Sequence, residues 1–143
     1  MLDKKKKEVF KEFAQFNTWE EKYKHLIKMG QSLSPIEDQL KTEENLVKGC
    51  QSQVWIFGKL NEEQKVVYHA DSDALIVRGV VSLLLKVFSG GSPDEIIQSD
   101  LEFIKEIGFD RQLSPSRANG LYSMIKQIKY YAQAYKALLA SQK

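Results

Sequence analysis

The sequence is poor in the residues from which most metal and redox sites are built. It has one cysteine, two histidines and no excess of either charge: 21 Lys and Arg stand against 19 Asp and Glu in 143 residues. A single thiol excludes an internal disulfide framework, and it excludes an all-cysteine zinc or iron–sulfur site made by one chain. His25 and His69 belong to no His-Glu-x-x-His pattern, so each is expected in a structural or surface role. A net charge of +2 lacks the basic stripe of a nucleic-acid binder, and no stacking motif of aromatics accompanies the scattered lysines. No run is long enough to span a bilayer, since the most apolar stretch, 74–88, is broken by Arg78 and Lys86. The basic start Lys4-Lys5-Lys6-Lys7 leads into Glu8, Lys11 and Glu12, where a secretion leader needs apolar residues; the lysines are expected as a solvated helix end. With no disulfide and no leader expected, a reducing, cytoplasmic setting is the expectation.

Several catalytic signatures are missing as well. Ser89-Gly90-Gly91-Ser92 has no lysine placed as in a phosphate-binding loop, and there is neither a serine-nucleophile elbow nor a Gly-x-Gly-x-x-Gly turn. The paired carboxylates Glu43-Glu44 and Glu62-Glu63 lie in polar stretches and read as solvated.

What is present is a globular balance of 43% hydrophobic and 28% charged residues. A chain of this length buries roughly two-thirds of its unfolded surface without a staple. No repeat or Pro/Gly linker divides it, so residues 1–143 are expected to form a single domain. Val9, Phe10, Phe13 and Phe16 fall at helical spacing. Thr18-Trp19-Glu20-Glu21 is a capping box opening a helix over 19–29, with Gly30 placed for a left-handed stop. Residues 31–48 read mostly as loop. Strands are expected at 53–57 and 65–70, joined by the polar connection 58–64. Ala74-Leu75-Ile76-Val77 is too short for its period to separate a third strand from a helix start. A buried helix follows over 79–89, then Ser92-Pro93-Asp94-Glu95 starts another, Gly108 ends a further helical stretch, and Ser114-Pro115 starts the last. In that last helix Leu121, Met124, Ile125, Ile128, Ala132, Tyr135, Leu138 and Leu139 share one face. The expected class is α+β: a small antiparallel three-stranded sheet with helices packed on one face.

Cys50 is the one residue with distinctive chemistry. It follows Gly49 and precedes a strand, which puts it on a loop at the sheet edge, where a side chain can swing out. Lys48 is close in sequence, and a cation favours the nucleophilic thiolate. A free cysteine is equally at home as a small buried hydrophobe, and the residues alone weigh the two evenly.

The surrounding motif, Val47-x-Gly49-Cys50-Gln51-Ser52-Gln53-Val54-Trp55, closely resembles the cysteine motif of the SufE family. Three further stretches resemble the same family in order along the chain: 17–23, then Asp71-Ser72-Asp73-Ala74 with Ile76-Val77-x-Gly79, then Leu113-Ser114-Pro115-Ser116-Arg117-x-x-Gly120-Leu121. The resemblance implies a fold similar to SufE and the scaffold IscU. It implies a sulfur acceptor that stimulates a pyridoxal-phosphate cysteine desulfurase by taking its persulfide sulfur onto Cys50. The sulfur then passes towards iron–sulfur cluster assembly. On this view the chain is a sulfurtransferase-like carrier with no cofactor or metal of its own, and its partners are a SufS- or CsdA-like desulfurase and a downstream acceptor or scaffold. Gln51-Ser52-Gln53 leans to the first branch of the family and Val77-Arg78-Gly79 to the second, leaving the donor open between them. The carry-over gives Gly49, Gln51 and Ser52 a part in shaping the loop, Arg117 a part in holding the thiolate, the persulfide or the partner, and Asp73 a part in docking. The chemistry further predicts that Cys50 is shielded at rest and exposed on docking. The alternative is a non-catalytic adaptor that regulates a desulfurase by contact, with Cys50 as packing.

Overall fold

The computed structural model describes residues 2–142. In chain order it has α1 (Leu2–Ala14), α2 (Trp19–Gln31), a 3-10 turn at Asp38–Leu40, β1 (Val54–Leu60), β2 (Val66–Ser72), α3 (Leu75–Phe88), α4 (Pro93–Gln98), α5 (Glu102–Ile107), α6 (Phe109–Gln112) and α7 (Pro115–Ser141). The class is α+β, as expected, but the sheet has two strands, not three. The segment read as a possible third strand, 74–77, opens α3 instead. Tertiary burial decides this: Val80, Val81, Leu83, Leu84, Val87 and Phe88 bury one continuous helical surface, and starting the helix at Leu75 extends it by a turn. A short piece before β1 does lie against the sheet. Leu46 bridges antiparallel to Trp55, with Val47 N–H donating to Val54 O at 2.7 Å and Ile56 N–H to Asn45 O at 2.9 Å. It is a single bridge with no hydrophobic period to announce it.

β1 and β2 pair antiparallel with Ile56 opposite Ala70 and Gly58 opposite Tyr68. Their buried face (Val54, Ile56, Val66, Tyr68, Ala70) meets α3 and α7, and Tyr68 donates its hydroxyl to Ile128 O of α7 at 2.6 Å. Burial of a Val, Leu or Ile side chain contributes about 1.5–3 kcal/mol, so this layer adds substantially to the stability of the core. β1 runs three residues further into the turn than the sequence suggests, whereas β2 starts one residue later and gains its length at the far end; Asn61 closes the turn, its Oδ1 accepting from Glu63 N and Lys65 N.

Three other expectations change. Gly30 does not stop α2; it lies inside the helix, where a Cβ would come 2.7 Å from Gly79 N. It is there for the close crossing with α3. The lysine run is only partly solvated: Lys5 Nζ donates to Ser89 O at 2.6 Å, and Lys6 Nζ reaches Asp100 O at 3.1 Å. In α7 the apolar face is buried through Ala132, but Leu138 is 46% exposed because the helix outruns the body it packs on. The box at Ser92 forms as read, Ser92 Oγ accepting from Glu95 N and Glu95 Oε1 from Ser92 N; at Thr18 only half of it forms, Thr18 Oγ accepting from Glu21 N while the Glu21 carboxylate accepts from Asn17 N, one residue before the cap. Arg78, the charge that interrupts the apolar stretch, lies 3.5 Å from the buried Asp71 and donates to Leu33 O at 2.9 Å. His69 is exposed, whereas His25 packs against Phe13 and Phe16.

Candidate functional site

The site is a loop laid over the start of α7. The bridge at Leu46 and the Val47–Val54 hydrogen bond end the paired part of the chain. From 48 to 52 the backbone makes no hydrogen bond to another segment among the described residues. Pairing resumes at Gln53, whose N–H donates to Asp73 Oδ1 at 3.1 Å and whose carbonyl accepts from Asp73 N. Cys50 therefore stands at the tip of a hairpin with fastened roots and a free crest. Gly49 makes the turn possible: its φ is +93°, and a Cβ there would lie 2.6 Å from Ser123 Oγ.

Cys50 is half-buried, and its Sγ faces Gly120 O of α7 at 3.6 Å. Gly120 lets the two approach, since a Cβ on it would sit 3.2 Å from the sulfur. Beside the thiol lies a cavity of about 90 Å³ lined by Cys50, Gln51, Ser52, Ile76, Val77, Val80, Ser116, Arg117, Gly120 and Met124. A water takes about 30 Å³ of liquid, so the space suits a small group such as one added sulfur atom. α3 supplies the apolar wall and the first turns of α7 supply the other. Burial pushes the Cys50 thiol up from its ordinary value.

That shift gives a first expected result. A raised pKa means the thiolate appears only at higher pH, so alkylation of the folded protein by iodoacetamide should rise with pH along a curve displaced upward from that of the same thiol in urea. Rates of modification across pH, with and without urea, measure the displacement. A native curve at or below the unfolded one contradicts the shielding.

The residues singled out from the sequence separate into three groups. Cys50, Gln51, Ser52 and Arg117 meet at the cavity, and Arg117 is its one charged lining residue. Gly49 and Asp73 shape the loop from outside it, Gly49 through its backbone and Asp73 by holding Gln53. Lys48 does not reach the thiol; it pairs with Glu43 in solvent, so it gives no cationic help to the sulfur. Sequence reasoning missed Ile76, Val77, Val80 and Met124 as cavity walls, for their helical periodicity reads as core. It missed the Asn45–Val47 root altogether. The spacing Arg117-x-x-Gly120 did carry a signal, one helical turn apart on α7. Among the described residues no group of three or more His, Cys, Asp and Glu side chains is placed to hold a metal ion, and no helix is long and apolar enough to cross a membrane.

Comparison with known proteins bears on the family and the fold. Residues 7–132 match the family model described as SufE, an Fe-S metabolism associated domain. Among curated proteins the chain is 42% identical over 125 residues to SufE-like protein 1, chloroplastic/mitochondrial, of Arabidopsis thaliana, covering 87% of this chain and 34% of that one. The chain thus spans about a third of that relative's length. Among solved structures it superposes on the solution structure of a hypothetical protein from Thermus thermophilus with a TM-score of 0.78, at 18% identity, over 93% of this chain and 96% of that one. That likeness carries the fold alone. The match across residues 7–132 establishes that the chain belongs to the SufE family, the Fe-S metabolism associated domain.

Proposed function

We propose that this chain is a sulfur carrier that accepts sulfane sulfur on Cys50 from a pyridoxal-phosphate cysteine desulfurase, raises that enzyme's turnover by clearing its persulfide, and hands the sulfur towards iron–sulfur cluster assembly. The Cys50 thiolate attacks the terminal sulfur of the donor's Cys–S–SH. The donor S–S bond breaks, the donor thiolate leaves, and Cys50 holds the persulfide. The exchange conserves electrons and requires no metal or cofactor on this chain. The donor is a SufS- or CsdA-like enzyme, and a scaffold or second acceptor receives the sulfur. The whole of 1–143 acts as one domain in a reducing, cytoplasmic compartment.

The observation that carries this reading is the lone thiol on a free crest over a cavity of about 90 Å³. The closed position protects a persulfide from small thiols and oxidants, but it also raises the thiol pKa and hides it from a donor. Acceptance therefore needs the crest to open. From 47 or 53 to Cys50 is three residues, a reach of roughly 10 Å. Leu75, 61% exposed at the start of α3 and next in sequence to the cavity residue Ile76, offers an apolar docking point on this reading. On this reading Arg117, which lines the cavity, holds the thiolate or persulfide by charge, and Asp73, which holds Gln53 at the loop's outgoing root, serves docking.

Incubation with a desulfurase and cysteine should add the mass of one sulfur atom to the intact protein, reversible by dithiothreitol and located on Cys50 by peptide mapping. Absence of added sulfur across a panel of desulfurases that do bind the chain overturns the carrier reading and leaves the adaptor.

A further inference from the structure

Below the crest, α7 reads the hairpin with a line of side chains four residues apart. Ser123 lies against Gly49. Gln127 Nε2 donates to Asn45 O at 3.0 Å and to Ile56 O at 3.2 Å. Tyr131 donates its hydroxyl to Asn45 Oδ1, and Tyr135 donates to Gly58 O at 2.7 Å. Positions 123, 127, 131 and 135 share one helix face, so the helix meets the hairpin in order from crest to stem.

Gln127 differs from the others. Asn45 belongs to the strand entering the hairpin and Ile56 to the strand leaving it. A primary amide has two N–H donors, and here both are used, one on each strand. Apart from this amide, the hydrogen bonds joining the roots to each other are the backbone pairs Val47–Val54 and Ile56–Asn45. Asn45 is itself 6% exposed and further held by Nδ2 donating to Leu40 O at 2.8 Å. The root is therefore over-determined and the crest is not.

We propose that Gln127, backed by Asn45 and Tyr131, is a positioning residue for Cys50: it fixes the hairpin root in register on α7, confines opening to 48–52, and sets where the sulfur comes to rest over the cavity. Because the walls made by Ser116, Gly120 and Met124 belong to the same helix, one rigid element fixes both the sulfur's tether and its pocket. Gln127 touches neither the sulfur nor the cavity. The assignment rests on the reading of Cys50 as an acceptor.

The full chain carrying Gln127→Met keeps the side chain's length and removes both donors; Gln127→Lys restores donors one bond further along the stem. Two measurements need no desulfurase. In Gln127→Met, iodoacetamide modification of Cys50 should be about tenfold faster than in the native chain, the fold expected for losing about 1.4 kcal/mol of closure. Hydrogen exchange at the Val47 and Ile56 amides should rise in parallel while that at Val81 and Ile128 stays unchanged. Gln127→Lys should bring both back towards native values. Unchanged modification and exchange in Gln127→Met overturn the proposal. So does a uniform rise at all four amides, which marks Gln127 as an ordinary contributor to stability. A variant that behaves as expected here, on a native chain that never takes up sulfur, keeps the clamp and removes the acceptor reading instead.

Discussion

Cys50→Ser should fold like the native chain, bind the desulfurase with unchanged affinity, and lose sulfur loading and turnover stimulation down to background. The fold is spared because the sulfur makes one weak hydrogen bond, 3.6 Å to Gly120 O, and packs only at the edge of the core, at a half-buried position on an unpaired crest. A hydroxyl fits that space and can keep the contact, so the stability change should stay within about 1 kcal/mol. The chemistry is not spared. A serine hydroxyl is not ionised near neutral pH and cannot act as the soft nucleophile that displaces a thiolate from a persulfide. No second thiol exists to take over. Desulfurase turnover in the presence of each protein, beside a direct binding isotherm, tells the two readings apart. Lost stimulation with intact binding supports sulfur transfer. Stimulation retained by Cys50→Ser sinks it and leaves contact regulation, with the thiol as packing.

What the sequence disclosed of this site follows from which interactions are local. Helix caps, proline starts and the apolar face of α7 as far as Ala132 are written within a few residues of each other, and the side chains of Thr18, Ser92 and Ser114 all cap as read. The loop character of Cys50 was equally local, set by Gly49 and the strand formers after it. The errors sit where distant chain segments decide. Four apolar residues at 74–77 suit a strand or a helix, and the choice was made by what α3 packs on. Gly30 resembles a helix stop until Gly79 is seen against it. Lys48 is two residues from Cys50 in sequence, but a free carboxylate at Glu43 offers it a closer partner in solvent. The cavity was invisible for the same reason: its apolar walls come from α3 and α7, each of which reads alone as core. The SufE resemblance supplied the site residues as a set, and the geometry then divided that set into those lining the cavity and those holding the loop.

The crossing of α2 and α3 should tolerate no Cβ at Gly79, and Gly79→Ala should be the most destabilising of the changes considered. A Cβ built there lies 2.1 Å from Leu26 O and 2.6 Å from Leu26 C, both backbone atoms of α2. A flexible side-chain end can step aside from such an approach; a hydrogen-bonded helix carbonyl cannot. The helices must part, and in an interior packed at crystal density the loss spreads along the crossing, where Leu26 and Val80 are buried. Alanine gains about 1 kcal/mol over glycine in helix propensity, which offsets only part of this. Overpacking of a rigid core usually costs about 1–3 kcal/mol, and a clash with backbone belongs at or beyond the top of that range, so a net loss of about 3 kcal/mol is expected. For a domain of this size that lowers the thermal midpoint by about 10 °C. Ser82→Ala, a change on the same helix that only removes an atom, serves as control and should shift it by little. The consequence reaches the sulfur. Ile76, Val77 and Val80 travel with α3, so displacing the helix opens the wall of the Cys50 cavity. Gly79→Ala should therefore show faster iodoacetamide modification of Cys50 well below its own melting temperature. A midpoint equal to or above the native one means that α2 and α3 can separate without penalty, and the cavity wall is then not held by this crossing.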